Sequence, residues 1–238
     1  GNLSADDLLL SYERNNSENS IGTIHCYVTD DYFGLLEDGK GINITSEKVD
    51  IGIGRFTCTT SEDAKIFVDK TIRYMHNEDV GVWKNTICML GDNGDNNEHM
   101  IDAENVVKQI NDVSGKNLGI KKLYWDAYPQ TMTATGVSFP QVSLMVKEQM
   151  KKGAIMFNYS GHGSPDQISH SKILFTDDFR EPSVGLPIWV FASCEITPYD
   201  TQTDNIGRAA MLNKNGGAIA LMCAARAVYA DQNNQLNM

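Results

Sequence analysis

The chain has 238 residues, of which 41% are hydrophobic and 21% charged; these are ordinary globular values, and the length can bury a core without disulfide staples. A formal net charge of −11 lacks the Lys/Arg clusters that phosphate backbones demand, so no nucleic-acid partner is expected. No run approaches the roughly 20 apolar residues of a membrane span, so no membrane span is expected in this segment, and the polar residues from Gly1 to Asp7 do not read as a signal peptide. Both ends read as cut from a longer protein.

In chain order, residues 21–29 and 48–54 read as strands separated by a polar, Gly-containing loop. Ser61-Glu62-Asp63 supplies an N-cap and first-turn acids for a helix that runs to about His76, with Ile66, Phe67, Ile72 and Tyr74 along it. From Gly81 onward strands and helices alternate. Strand 85–90 leads through the polar loop Gly91–Asn97 into helix 98–112. Strand 120–125, helix 139–151, strand 154–159, strand 187–193, helix 203–213 and strand 217–223 follow. This alternation predicts an α/β fold with a mainly parallel sheet and helices on both faces. The runs AIMFNY (154–159) and IWVFAS (188–193) are almost continuously apolar, as strands buried on both faces should be.

Two residues stand where such a sheet presents its chemistry. His162 lies in Ser160-Gly161-His162-Gly163 and Cys194 in Ala192-Ser193-Cys194, each just past the carboxyl end of an apolar strand. Ligands bind along that edge in open α/β sheets. A thiol beside an imidazole is activated as a thiolate, which attacks an acyl carbon, and the imidazole then protonates the leaving group. The glycines flanking His162 permit close approach of a substrate chain. The backbone N–H groups of Gly163 and Cys194 are the expected oxyanion hole. Spacing alone does not single out a carboxylate to orient the imidazole.

Cys26, Cys58, Cys88 and Cys223 are scattered without a Cys-x-x-Cys pair and read as small buried hydrophobes. His25, His76, His99 and His170 read as structural or solvated. No metal ligand set is assigned. The oxygen-rich loop Asp92–Glu98 lacks EF-hand spacing, and a turn entering a helix is the better reading than a Ca²⁺ site. Gly34 to Lys40 mimics a P-loop, but Gly41 stands where Ser or Thr must hold Mg²⁺, and Gly52-Ile53-Gly54 lacks the third glycine of a dinucleotide site.

Several stretches together resemble the gingipain-type cysteine peptidases, a family of the caspase and legumain clan. They are 53–77, 91–107, 124–131, NYSGHGS (158–164), VFASCEIT (190–197) and 215–230, and the resemblance extends over nearly all of the chain from about Tyr27. The Ala-Ser-Cys-Glu and Tyr-Pro-Gln-Thr stretches are most similar to the PorU-type signal peptidases of type IX secretion. These remove C-terminal sorting domains from exported cargo and can join the new terminus to an anionic lipopolysaccharide. The resemblance implies a caspase-like three-layer sandwich over 81–238, with 1–80 as the later part of a smaller N-terminal subdomain. It implies His162 and Cys194 as the catalytic pair and Glu104 as the carboxylate orienting the histidine. It further implies protein substrates, type IX secretion components as partners, an extracellular or outer-membrane-associated location, and no cofactor for the chemistry, with structural Ca²⁺ allowed. A general secreted peptidase, and an inactive surface scaffold or adhesin of the same fold, are the alternatives.

Overall fold

The computed structural model describes residues 10–13, 27–134, 136–200 and 204–238. In chain order its strands and helices are β1 Tyr12–Glu13, β2 Val28–Thr29, α1 Ser61–Met75, β3 Thr86–Gly91, α2 Glu98–Ser114, β4 Gly119–Tyr124, β5 Thr131–Thr133, β6 Gly136–Ser138, α3 Pro140–Lys152, β7 Met156–Ser160, β8 Gln167–Ile168, β9 Leu174–Phe175, β10 Ile188–Ala192, α4 Ile206–Leu212, β11 Ala220–Cys223 and α5 Ala230–Asn237.

The apolar runs form one sheet of five strands in the order β11-β10-β7-β3-β4, parallel at every pairing. Alternate residues of a strand face opposite sides, and here both sides are covered. Ile87 and Met89 of β3 pack with Ala103, Val106 and Val107 of α2. Cys88 and Leu90, one residue out of phase, join Val142 and Val146 of α3 and Ile206, Ala209 and Ala210 of α4 on the other face. The result is helix, sheet, helix in three layers. On the α3/α4 face, Phe157, Trp189 and Phe191 stack across β7 and β10. The Trp189 ring centroid lies 4.4 Å from that of Phe157 and 5.1 Å from that of Phe191.

The strand order sets the site. The chain runs from β3 outward to β4, then returns across β3 to build β7, β10 and β11 on its other side. That reversal makes a crevice beyond the carboxyl ends of β3 and β7. The loops after β3, β7 and β10 all open there.

Two of the early expectations change. Residues 48–54 form no strand: Val49, Ile51 and Ile53 are partly exposed, and Val49 and Ile53 close around Gly34. Their alternation meets a loop rather than a second strand. The cap of α1 is Thr60, whose hydroxyl accepts from the Asp63 N–H at 3.1 Å, so Ser61 is the first helical residue and not the cap. Of the proposed strand 21–29 only Val28–Thr29 falls within the described residues as a strand, paired with β1. No helix among the described residues is long and apolar enough to cross a membrane.

Helix α1 lies against α4 through Arg208–Asp63 at 2.8 Å and through Lys70, whose ammonium nitrogen reaches the carbonyls of Ala210 and Met211 at 3.2 and 3.0 Å. Burial pushes Lys70 down to about 7. The unfolded chain keeps that proton to about pH 10.4. Between these values the unfolded state binds more protons, so stability climbs with pH over that window and is flat above it. Thermal melts of Lys70→Met across this window should lose the Lys70 part of the climb. Trp189→Ala should cost about 3–5 kcal/mol in denaturant unfolding, because it empties the middle of the aromatic stack.

Candidate active site

The register of β7 and β10 pairs Ser160 with Ala192, so His162 and Cys194 each stand two residues beyond a matched pair. Neighbouring strands lie about 4.8 Å apart. The ladder continues one step further, since the Gly161 N–H donates to the Ala192 carbonyl at 3.2 Å. The two strand-end loops then touch. A Cβ added to Gly163 would run into Ser193 Oγ and would lie 2.8 Å from Ile196 Cδ1 and 3.3 Å from the Cys194 carbonyl oxygen. Gly163 is needed here because the 193–196 turn occupies the space of a side chain.

The His162 loop is held by a buried carboxylate. Asp92, the first residue after β3, is 1% exposed. It accepts from the Ser169 hydroxyl at 2.7 Å, the Tyr159 hydroxyl at 2.9 Å and the His162 backbone N–H at 3.2 Å. Its own N–H donates to the Ser160 carbonyl at 3.0 Å. Burial, reinforced by the Asp92 charge, pushes the Tyr159 phenol well above its usual range, so it stays a donor. From the other side the β8–β9 hairpin clamps the same loop. Ser169 N–H donates to the His162 carbonyl at 2.9 Å, and Ser164 N–H to the Gln167 carbonyl at 3.0 Å. These bonds flank the Gly163–Ile168 bridge and leave the Gly163 N–H outside the ladder.

The imidazole itself is paired with Asp95. His162 Nε2 lies 2.7 Å from Asp95 Oδ2, and the hydrogen bond from His162 holds the Asp95 carboxyl below its usual range. Asp95 reaches this position through a left-handed turn. Gly94, Asp95, Asn96 and Asn97 all have positive φ, at 84°, 45°, 53° and 69°. Asn and Asp tolerate that region better than other side chains, and Gly adopts it freely. His170 stacks on the His162 ring at 4.4 Å, and His99 meets it edge-on at 5.1 Å.

Glu104 is placed elsewhere. Its carboxylate accepts from Lys122 Nζ at 2.9 Å and Tyr124 Oη at 2.6 Å, on the outer strand β4. Burial alone would raise its pKa, but these two donors outweigh it and hold it down. The carboxylate at the imidazole is that of Asp95, nine residues earlier on the turn before α2.

Cys194 sits in a turn stapled to the segment after β11. Glu195 N–H donates to the Arg226 carbonyl at 3.1 Å, and Thr197 N–H to that of Ala224 at 3.3 Å. Arg226 is buried against Asp200, with Nη1 2.9 Å from Oδ1. Glu195 takes φ +48°, a sharp corner directly after the cysteine. The Cys194 thiol is half-buried and lies 3.7 Å from the Val228 carbonyl. Cys58, Cys88, Cys194 and Cys223 are free thiols. Burial pushes Cys88 up to about 12 and raises Cys223, so neither is a nucleophile near neutral pH. Cys26 lies outside the described residues.

The whole of residues 2–238 matches the family model for peptidase family C25. The chain belongs to that family. Its fold matches the crystal structure of the Arg-specific cysteine proteinase gingipain R (RgpB) with a TM-score of 0.66 at 18% identity, over 89% of this chain and 48% of that one. A complex of Porphyromonas gingivalis RgpB pro- and mature domains matches at 0.59, again at 18% identity, over 79% of this chain and 45% of the other. A third structure, described only as a protease, matches at 0.60 and 12% identity, over 74% and 37%. No curated protein matches. This C25 chain therefore spans about half the length of the solved structures it resembles.

The oxygen-rich loop of this C25 chain does not fit a Ca²⁺ shell. Ca²⁺ takes six to eight oxygens, whereas the Asp92 oxygens are consumed by Tyr159, Ser169 and the His162 N–H, and Asp95 Oδ2 faces two imidazoles. Sequence reasoning placed Asp92 and Asp95 only in that loop. A signal was present in the Asn- and Gly-rich run that lets the chain turn left-handed before α2. Asp92→Ala should leave the Ser169 hydroxyl and the His162 N–H without their acceptor, while the Tyr159 hydroxyl keeps the His162 carbonyl at 2.7 Å. The expected cost is about 1–3 kcal/mol per buried group left unpaired, seen as a lowered denaturant midpoint, together with loss of whatever activity His162 supports.

Proposed function

We propose that this chain carries the catalytic centre of a cysteine endopeptidase, with Cys194 as nucleophile, His162 as acid and base, and Asp95 as the group that orients the imidazole. The observation that supports it best is the registered pairing of β7 with β10, which sets the two loops bearing His162 and Cys194 side by side.

With Nε2–H bonded to Asp95, Nδ1 is the nitrogen left to accept the thiol proton. The Cys194 thiolate then attacks the peptide carbonyl carbon. Negative charge develops on the carbonyl oxygen, facing the N–H groups of Gly163 and Cys194, and no described group accepts from either. Collapse breaks the C–N bond as the imidazolium returns its proton to the departing amine. The remaining thioester is resolved by water or by an acceptor amine. Asp95 stabilises the imidazolium throughout.

For the substrate we favour the PorU-type role: removal of C-terminal sorting domains from type IX secretion cargo at the cell surface, with transfer to an amine acceptor. The support is the local sequence Ala192-Ser193-Cys194-Glu195 together with Tyr128-Pro129-Gln130-Thr131.

Cys194→Ala should abolish covalent labelling by an electrophilic peptide, read by intact-protein mass; labelling that persists on another residue would remove Cys194 from this role. Asp95→Asn should lower kcat by about 10²–10⁴-fold with a small change in KM, because it disturbs the imidazole tautomer rather than substrate binding. A sorting-domain peptide incubated with a primary amine separates the two outcomes for the thioester. Amide product supports transfer, and acid product alone supports a general endopeptidase.

A further inference from the structure

We infer that Asp95, His99 and His162 form a binding site for a borderline divalent cation, Zn²⁺ in the first instance, and that its occupancy switches the proposed catalytic base off. One ligand atom from each of the three residues falls within 4.8 Å of the other two. Asp95 Oδ2 is the shared corner, 2.7 Å from His162 Nε2 and 3.3 Å from His99 Nε2. Zn²⁺ holds nitrogen and oxygen ligands at about 2.0–2.2 Å in a tetrahedron, which sets neighbouring ligand atoms roughly 3.3 Å apart. The three donors thus need only small side-chain movements to enclose an ion, with the fourth position left for water.

The second observation is His99. Its side chain is 9% exposed, and Nε2 is buried without a hydrogen-bond partner, although it points at Asp95. A buried ring nitrogen left unpaired costs free energy, and a cation in the triangle would satisfy it. The His99 position is built in: Asp95 and His99 are four residues apart across the entry to α2, and the left-handed turn at Gly94–Asn97 brings Asp95 to lie 3.3 Å from His99 and 2.7 Å from His162. Two imidazoles and one carboxylate suit Zn²⁺, and Co²⁺ as its probe, better than the all-oxygen preference of Ca²⁺ or Mg²⁺.

The consequence for the chemistry rests on the peptidase reading. A cation on His162 Nε2 replaces the proton there, so the neutral imidazole carries its proton on Nδ1. That nitrogen then has no lone pair for the thiol.

The test separates binding from activity. The full chain bearing Cys194→Ala, which has no nucleophile, is titrated with Co²⁺ and followed by its visible d–d bands, and Zn²⁺ affinity is measured by competition with a chromophoric chelator. One equivalent should bind in a tetrahedral spectrum without a thiolate charge-transfer band. Asp95→Asn, at an exposed residue, and His99→Asn should each weaken binding at least about tenfold. Absence of binding, or affinity unchanged by both substitutions, overturns the site. In the Cys194 form, Zn²⁺ should inhibit peptide cleavage reversibly, and His99→Asn, compared with its own metal-free rate, should need at least about tenfold more Zn²⁺ for half-inhibition. If His99→Asn is inhibited as strongly as the parent chain, the switch is overturned. If the metal binds as described while the chain never cleaves or labels, the site stands and the peptidase reading falls.

Discussion

The arrangement depends on one buried carboxylate. Asp92 closes the gap between the ends of β3 and β7, where the parallel ladder stops and backbone groups would otherwise face the interior without partners. It gathers a phenol, a hydroxyl and a backbone N–H around a single charge, and hydrogen bonds to an ionised acceptor are the stronger kind. A charge this deeply buried is tolerated only when it is fully paired. That requirement ties the His162 loop, the β8–β9 hairpin and the end of β3 into one unit. The backbone of His162 is therefore positioned independently of what its ring contacts.

A second constraint acts on the ring. The left-handed turn from Gly94 to Asn97 holds three non-glycine residues in a sparsely populated region, at a cost of about 1–3 kcal/mol for such residues. Strain of that kind persists where surrounding structure over-determines it. Here it delivers the Asp95 carboxylate to His162 Nε2 and starts α2 on the correct heading. The cysteine side has its own corner, Glu195, fixed by hydrogen bonds to the segment following β11 and by the buried Arg226–Asp200 pair. Both corners sit at the carboxyl edge of a rigid parallel sheet. Reactive groups on such loops inherit the precision of the strands beneath them.

The family match and the half-length overlap with the solved relatives bear on different things. The match spans the chain and places it in peptidase family C25, while the structural likeness at 18% identity speaks for the fold. A carboxylate carried over by position in the chain, Glu104, is drawn to Lys122 and Tyr124 by the cation and phenol on β4. Asp95, on the turn before α2, meets the imidazoles of His162 and His99 instead.

By itself the sequence determined the parallel sheet, its covering helices, and the placement of His162 and Cys194 past strand ends. Apolar runs bounded by glycine and polar turns are local signals, and parallel strands buried on both faces have few other ways to read. What only tertiary structure decided was which strands are neighbours and which side chains meet across them. The order β11-β10-β7-β3-β4 is a set of non-local pairings with no local signature, so the roles of Asp92, Asp95, His99 and His170 around His162 were not legible. The 48–54 alternation failed for the same reason. A period of two permits a strand, but a partner with free hydrogen-bonding groups must be present to make one.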